Sequence, residues 1–398
     1  MSRSFDVAVV GGGIHGTGIA QAAAAAGYST LLLEKTDLAA GTSSSSSKLI
    51  HGGLRYLETW QFGLVAECLR ERALLLRLAP DLVRLRDFYI PVFTQTRRPP
   101  WLVRIGLGLY AVLGRFGPGT RFTSVGRNRW DRLDGLRTDD LKAVLKYSDA
   151  QTDDRLLTRA VMASAQDLGA ELAMPAHFNG ATIGDAGVTL RYRLDDSEVE
   201  AHAAVLINAA GPWANEVLEM VEPVQSLFPV ALVQGSHIVI SHRFERGIYY
   251  LESPRDGRAV FVMPRDDDTL VGTTEIPFRG HPDDVVTYPR ERSYLASVVE
   301  HYFPALRGKV ATKITGATAG LRVLPAGKGH AFHRPRETIL HADNARHPRV
   351  LSIYGGKLTA YRATAEKVIE KLRPVLPERR RRASTRELTL APPADHAG

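Results

Sequence analysis

Three glycines, Gly11, Gly13 and Gly16, constrain this chain more than any other feature. The run before them, "FDVAVV", is short, apolar and rich in valine, and reads as a buried strand. The run after them, "IHGTGIAQAAAAAG", is alanine-rich and stops at Gly27, which reads as a helix with a glycine just beyond its C-terminus. "YSTLLLE" then reads as a second buried strand, ending on Glu34, eighteen residues past Gly16. A glycine turn alone says little. A strand before it, a helix after it and an acidic residue at the end of the next strand together make a dinucleotide fingerprint.

Each part of that fingerprint has a physical task. The glycines let the backbone approach a pyrophosphate, whose charge sits at the helix N-terminus beside Ile14 and His15. The Glu34 carboxylate can accept hydrogen bonds from ribose hydroxyls and would repel a 2′-phosphate. Two further glycine turns follow strands: "INAAGPWA", with Ala210, Gly211 and Trp213, and "YGGKLTAY", with Gly356 to Thr359. A nicotinamide enzyme needs one such loop, whereas a permanently held flavin needs several. A helix starting after Gly355-Gly356, through Lys357, Leu358 and Thr359, could also stabilise negative charge developing at the flavin N1–C2=O end. Non-covalent FAD is therefore expected over NAD.

Composition narrows the partners. The 398 residues allow one large domain or two interleaved ones, and 44% hydrophobic with 24% charged residues is ordinary for a soluble protein. One cysteine, Cys68, rules out an internal disulfide, and no signal peptide is read, so a cytoplasmic location is expected. No window reaches the roughly 18 uncharged apolar residues of a spanning helix. A net charge of +8 favours phosphate-bearing partners or an anionic membrane surface. No zinc-finger, KH or RRM signature supports nucleic acid. The span from Arg97 to Arg121, apolar with flanking arginines, has two readings: an interfacial helix holding the protein peripherally on the cytoplasmic face of a bilayer, or a cap helix buried against the protein. No metal site is singled out, and the oligomeric state is not legible.

The expected fold class is α/β. A discontinuous Rossmann-like FAD-binding domain (1–92, 147–222 and 318–376) carries an inserted, mainly antiparallel β-sheet cap for the substrate (93–146 and 223–317). "HIVIS", "GIYYL", "AVFVMP" and "TLVGTTE" are the short β-rich runs behind the cap. Trp60 to Ala79 reads as a helix stopped by Pro80, and Leu85 to Arg137 as irregular and basic. "ERRRRASTR", inside the basic C-terminal tail 377–398, reads as solvated.

One block goes beyond a generic flavoprotein: "GTSSSSSKLIHGGLRYLE", from Gly41 to Glu58. With "YSDAQTDDRLL", "LINAAGPWA", "QGSHIVI", "VFVMPRDDDTLVGTTE", "AGLRVLP" and "LSIYGGKLTAYRATAE" following in order, nearly the whole chain resembles the aerobic-type, quinone-linked, FAD-dependent glycerol-3-phosphate dehydrogenases of the D-amino-acid oxidase-like superfamily. It departs from them in two ways. Typical members continue into a helical C-terminal domain, whereas this sequence stops soon after "RELTLAPP", and "LPAGKGHAFHRPRETIL" spaces its basic residues unusually. The resemblance implies oxidation of sn-glycerol 3-phosphate to dihydroxyacetone phosphate, the C2 hydride passing to flavin N5 and the electrons to a quinone or another acceptor. The alternatives are an oxidase that makes hydrogen peroxide, an enzyme for another polyol phosphate or a small hydroxy or amino acid, and a non-catalytic flavin-binding protein.

Such chemistry needs a phosphate clamp and a base. Arg55, Arg322 and Arg336, with Arg334 competing for the third place, are the phosphate candidates, because a planar guanidinium meets two phosphate oxygens at once. Tyr56 adds a phenolic donor, and Arg55 and Arg322 are expected at strand or loop ends. His51 and His237 are the candidate bases. Lys357, with Thr359 beside it, could hydrogen-bond substrate or flavin and favour negative charge in the transition state; Arg322 and Lys357 are counted with the catalytic set. Lys35, Thr42, Ser43, Ser46, Ser47, Lys48, Leu49, His51, Gly52 and Gly53 are expected around the cofactor.

Overall fold

The computed structural model describes residues 3–326 and 338–393. Among them are seven α-helices: α1 (Ile14–Ala26), α2 (Phe62–Leu78), α3 (Pro100–Leu113), α4 (Asp154–Asp167), α5 (Ala214–Glu219), α6 (Pro289–Tyr302) and α7 (Tyr361–Leu372). Two sheets, of nine and ten strands among the described residues, carry the rest.

The nine-stranded sheet is built around Arg3–Val10. This strand runs parallel to Ser197–Asn208 on one side and to Thr30–Leu33 on the other. Everything from Phe5 to Val10 is buried, which is why the run has no alternation. α1 is buried nearly all round, and its small side chains let α4 and α7 pack closely against it. Gly27 ends α1 at φ +100°, its amide turned back onto the Ala23 and Ala24 carbonyls. Val350–Tyr354 adds in parallel to the C-terminal end of Ser197–Asn208. That pairing brings the "YGGKLTAY" turn beside the first glycine turn.

The ten-stranded sheet is antiparallel except where Ile248–Glu252 meets Val83–Phe93. Its longest pairings are Val83–Phe93 with Leu141–Thr152 and Val230–Ile240 with Ile314–Pro325. These strands run across residues 92/93, 146/147 and 317/318, so each domain edge expected there falls inside a strand. All of Val83–Phe93, Leu141–Thr152 and Ile314–Pro325 belongs to this second sheet. The span from Leu85 to Arg137 is likewise not irregular: it contains most of that strand, then α3, then a 3₁₀ turn at Arg127–Arg132. Pro99 caps α3 and Pro100 opens its first turn instead of breaking it, because a proline there loses no helical hydrogen bond.

The basic tail is docked through its backbone, while Arg379 to Arg382 and Arg386 stay exposed to solvent. Arg379 makes a forked contact to Asp6, at 2.8 and 3.0 Å. The amides of Arg382 and Ala383 both reach the Ala25 carbonyl at the end of α1. Arg362 on α7 bonds Thr385 at 2.9 Å, and Leu390 is buried against Leu75 and Ala79. The Arg382 side chain donates to the Leu168 carbonyl at the end of α4, where positive charge and N–H donors are favoured.

Candidate functional site

A cavity of about 890 Å³ lies between the two sheets, near the upper end of the range for small-molecule sites. One wall is the glycine turn. Gly11 holds φ +106°, and a Cβ there would stand 2.7 Å from the Ala209 oxygen. A Cβ on Gly16 would stand 1.8 Å from the Gly11 oxygen. No residue but glycine fits at Gly16 without pushing the start of α1 away from the strand end. Glu34 accepts the Gly12 amide at 2.7 Å through one oxygen and the Thr36 amide at 2.9 Å through the other. At the rim, Lys35 lies 4.6 Å over the Trp213 ring, and both reach Asp283.

The serine run forms an ordered loop along the floor. Ser43 Oγ accepts the Ile14 amide at 2.9 Å, the first N–H of α1. Thr42 Oγ1 donates to the Leu321 carbonyl, and Ser47 Oγ lies 2.9 Å from His237 Nε2. Ser46 Oγ donates to Asp154, as does the Lys48 ammonium. Ser43, Ser45, Ser46, Ser47 and Leu49 line the cavity, whereas Lys48 does not, because Asp153 and Asp154 at the start of α4 draw its ammonium away.

His51 follows directly, half-buried in the cavity wall. Its amide donates to Thr359 Oγ1 at 3.0 Å, and that hydroxyl returns a bond to the His51 carbonyl at 3.2 Å. Thr359, 2% exposed, thus ties the second glycine turn to the serine block. Burial, with the charges of Lys357, Arg55 and Arg72, pushes the His51 imidazole down to about 3, so it is neutral at pH 7 and can accept a proton. His237 is pushed down to about 3 by burial, Arg322 and Lys48. It does not line the cavity: it is 1% exposed, and its ring packs on Gly272, where a Cβ would meet it at 2.0 Å. His15 lines the cavity; burial lowers it to about 4, and its Nδ1 has no hydrogen-bond partner among the described residues.

Cationic groups line the cavity as well. Arg55 and Tyr56 stand on the 3₁₀ turn Leu54–Thr59, and Lys357 Nζ sits 3.5 Å from the centre of the Tyr56 ring. Arg322 lies mid-strand, not at a strand or loop end, because its strand continues to Pro325. Its guanidinium bonds Thr273 Oγ1 at 3.0 Å and the Thr274 carbonyl at 3.5 Å. Gly53, Ala210, Gly211, Gly13, Gly356 and Leu358 line the cavity with them. Gly52 and Gly16 do not; Gly52 packs instead against Tyr110 and Leu69. The turn at Gly356 leads into a 3₁₀ turn at Leu358–Ala360, and α7 proper begins at Tyr361, later than expected. Arg334 and Arg336 lie outside the described residues.

Comparison with known proteins agrees with this geometry. The FAD dependent oxidoreductase (DAO) family matches residues 6–362. The chain belongs to that family. It is 38% identical over 386 residues to a glycerol-3-phosphate dehydrogenase of Pseudomonas aeruginosa, covering 94% of this chain and 72% of that protein. It is 36% identical over 383 residues to a D-erythritol 1-phosphate dehydrogenase of Brucella abortus, covering 94% and 75%. Its structure is similar to that of a glycerol-3-phosphate dehydrogenase from Bacillus halodurans complexed with FAD, with TM-score 0.74 and 26% identity, over 98% of this chain and 68% of that one.

The residues present fit FAD. The two glycine turns leave room that a Cβ would fill, Glu34 is held in place by backbone amides, and the His15 Nδ1 is buried at the α1 N-terminus without a partner among the described residues. Sequence reasoning missed several cavity-lining groups of this FAD-dependent oxidoreductase. Arg258 reaches Glu275 at 2.5 Å through its side chain and 2.9 Å through the backbone carbonyl, and Tyr250, Phe261 and Thr273 complete that wall. Their signal was weak: each sits in an ordinary antiparallel strand or turn, and only the folding of the second sheet over the first brings them to the cavity.

Proposed function

We propose that this FAD-dependent oxidoreductase oxidises the secondary alcohol of a polyol phosphate, with sn-glycerol 3-phosphate as substrate and dihydroxyacetone phosphate as product. The observation that carries it is the pairing, in one cavity, of Arg55, Arg258, Arg322 and Lys357 with a histidine held neutral. A phosphate dianion suits such a cluster better than a carboxylate does, because it offers more acceptor oxygens and twice the charge.

Arg55 and Arg322 hold the phosphate, and Tyr56 donates to it. Orienting the substrate in this way accounts for much of the barrier reduction available without new covalent chemistry. His51 takes the C2 hydroxyl proton. An imidazole at about 3 is a weak base until a dianion arrives beside it; the added negative charge raises its affinity for the proton as the reaction needs it. Lys357 stabilises negative charge growing on the C2 oxygen. His237 supports Ser47 and the loop rather than taking the proton, since it lies behind the cavity wall. FAD, when bound, accepts the hydride.

The electrons pass on to a quinone or another acceptor. α3 supports a location beside an anionic bilayer. It buries Leu107, Tyr110 and Ala111 while exposing Trp101, Ile105 and Val112, with Arg97, Arg104 and Arg115 also exposed around them. One face of this helix is buried against the protein, as a cap helix would be, and the exposed face is what supports the interfacial reading. Among the described residues no helix is long and apolar enough to cross a membrane.

The test is anaerobic bleaching of the flavin absorbance by glycerol 3-phosphate, compared with erythritol phosphates and small 2-hydroxy acids. Bleaching by glycerol 3-phosphate at the lowest concentration supports the reading. Preference for a tetritol phosphate moves the substrate, and bleaching by none of the phosphates refutes it.

A further inference from the structure

A fully buried polar cluster sits behind the cavity wall. Tyr110, on the inward face of α3, is 0% exposed. Its hydroxyl accepts the Gly52 amide at 2.8 Å and donates to Asp149 Oδ2 at 2.5 Å. Asp149, also 0% exposed, pairs through Oδ1 with Arg72 of α2, itself 1% exposed. Arg72 reaches onward to the Ser148 carbonyl at 3.2 Å and the Pro118 carbonyl at 2.6 Å. Leaving any member of such a buried set unpaired is costly, so the set holds its geometry as a unit.

None of these side chains lines the cavity, yet the set ends on Gly52, between His51 and Arg55. The fit there is tight: a Cβ on Gly52 would stand 2.6 Å from the Tyr110 oxygen and 2.7 Å from Leu69. On the other side His51 is tied to Thr359 through its own amide and carbonyl. The segment bearing the proposed base and a phosphate arginine is thus pinned at two adjacent residues, from the cofactor side by Thr359 and from behind by Tyr110.

We propose that Tyr110 is a positioning residue for the oxidation: through the Gly52 amide it sets where His51 and Arg55 stand in the cavity. Asp149 and Arg72 keep its hydroxyl aimed. The proposal rests on the function given above, because it needs a reaction whose rate depends on His51 and Arg55. Displacing a reacting group by about an ångström costs on the order of 100-fold in rate, so losing one buried hydroxyl here should be read in kinetics as well as in stability.

The experiment uses FAD-loaded Tyr110→Phe, which removes one oxygen and keeps the ring. Tyr192→Phe is the control, since the Tyr192 hydroxyl, buried in the other sheet, has no partner among the described residues. Anaerobic flavin reduction by saturating glycerol 3-phosphate should slow about 10- to 100-fold in Tyr110→Phe, with full flavin content, and stay unchanged in Tyr192→Phe. The pH profile should move as well. Lys357, Arg55 and Arg72 are the charges acting on the His51 ring, with the Thr359 hydroxyl on its backbone. Release from that setting should carry the acid limb of kcat/KM upward, toward 6.5, as the ring leaves its burial and those charges, while the flavin stays fully bound. Reduction rate and acid limb both within twofold of the parent enzyme overturn the proposal. If Tyr110→Phe does not fold, hydrogen exchange on the parent holoenzyme decides: the Gly52 amide should exchange with the slow core, and exchange at exposed-loop rates refutes the contact. If glycerol 3-phosphate fails to bleach even the parent enzyme, the functional reading falls, and the Gly52 exchange still reports on the anchor.

Discussion

Gly16→Ala separates folding from cofactor retention in this protein. Inside an exposed helix the change would stabilise by about 1 kcal/mol, since alanine is the better helix former. Here the new Cβ would stand 1.8 Å from the Gly11 oxygen, where real contacts essentially never fall below 3.0 Å. The first turn of α1 must therefore move by more than an ångström from the strand end. Overpacking of that size costs about 1–3 kcal/mol, so net stability falls by roughly 0–2 kcal/mol and the protein still folds. The amides at the α1 N-terminus move with the turn. Each hydrogen bond to a charged group is worth about 1.5–3 kcal/mol, and 1.4 kcal/mol is a factor of ten, so losing one contact weakens FAD about 10- to 100-fold. The assay is titration of apoprotein with FAD, read by flavin fluorescence, beside thermal unfolding of the apo form. Gly63→Ala, in the first turn of α2 with nothing within 4 Å of its added methyl, is the control and should bind FAD normally. An FAD affinity for Gly16→Ala within threefold of the parent would refute the account of this turn.

Three further outcomes follow from the same geometry. Arg322→Ala should raise the KM for glycerol 3-phosphate about 10- to 100-fold while FAD stays bound, as steady-state kinetics with flavin quantitation would show. Because His51 is pushed down to about 3 in the free protein, kcat/KM should hold as pH falls through 6.5 and be lost only far below it. The acid limb of kcat should lie higher, since a bound dianion favours the protonated imidazole; an ordinary histidine limb in kcat/KM that vanishes in His51→Gln would contradict the depressed value. Arg362→Met leaves Glu71 buried without its partner, both contacts being 2.7–2.8 Å long, and should cost about 3–5 kcal/mol in denaturant unfolding.

How much was legible beforehand varies with the range of the contacts. The α1 segment was readable because its signals are local: a valine run, three glycines, an alanine helix and a capping glycine each constrain the backbone within a few residues. α3 was only partly legible: its wider span read as irregular, and Arg97 to Arg121 within it as a helix, either interfacial or buried. Its prolines and arginines looked like interruption, and only their places, Pro99 at the cap and Pro100 in the first turn, make the prolines helix starters. The docked tail was missed for a different reason. A run of arginines is neutral information until the acceptors are known, and Asp6 and Ala25 are more than 350 residues away in the chain.

The serine block marks the line between the two kinds of knowledge. Its sequence alone showed that a Lys, a His and an Arg–Tyr pair follow a run too polar for the core. It could not show that Ser46 and Lys48 turn to Asp154, that Ser47 meets His237, or that Gly52 faces Tyr110. Sequence by itself determined the cofactor-binding turn and the inventory of cations and histidines, because those depend on residue type and short spacing. The tertiary structure decided which of them face the cavity, which are neutralised behind it, and that His51 stands uncharged among arginines and a lysine. Burial and the sum of nearby charges set those outcomes, and both arise only when the two sheets close on each other.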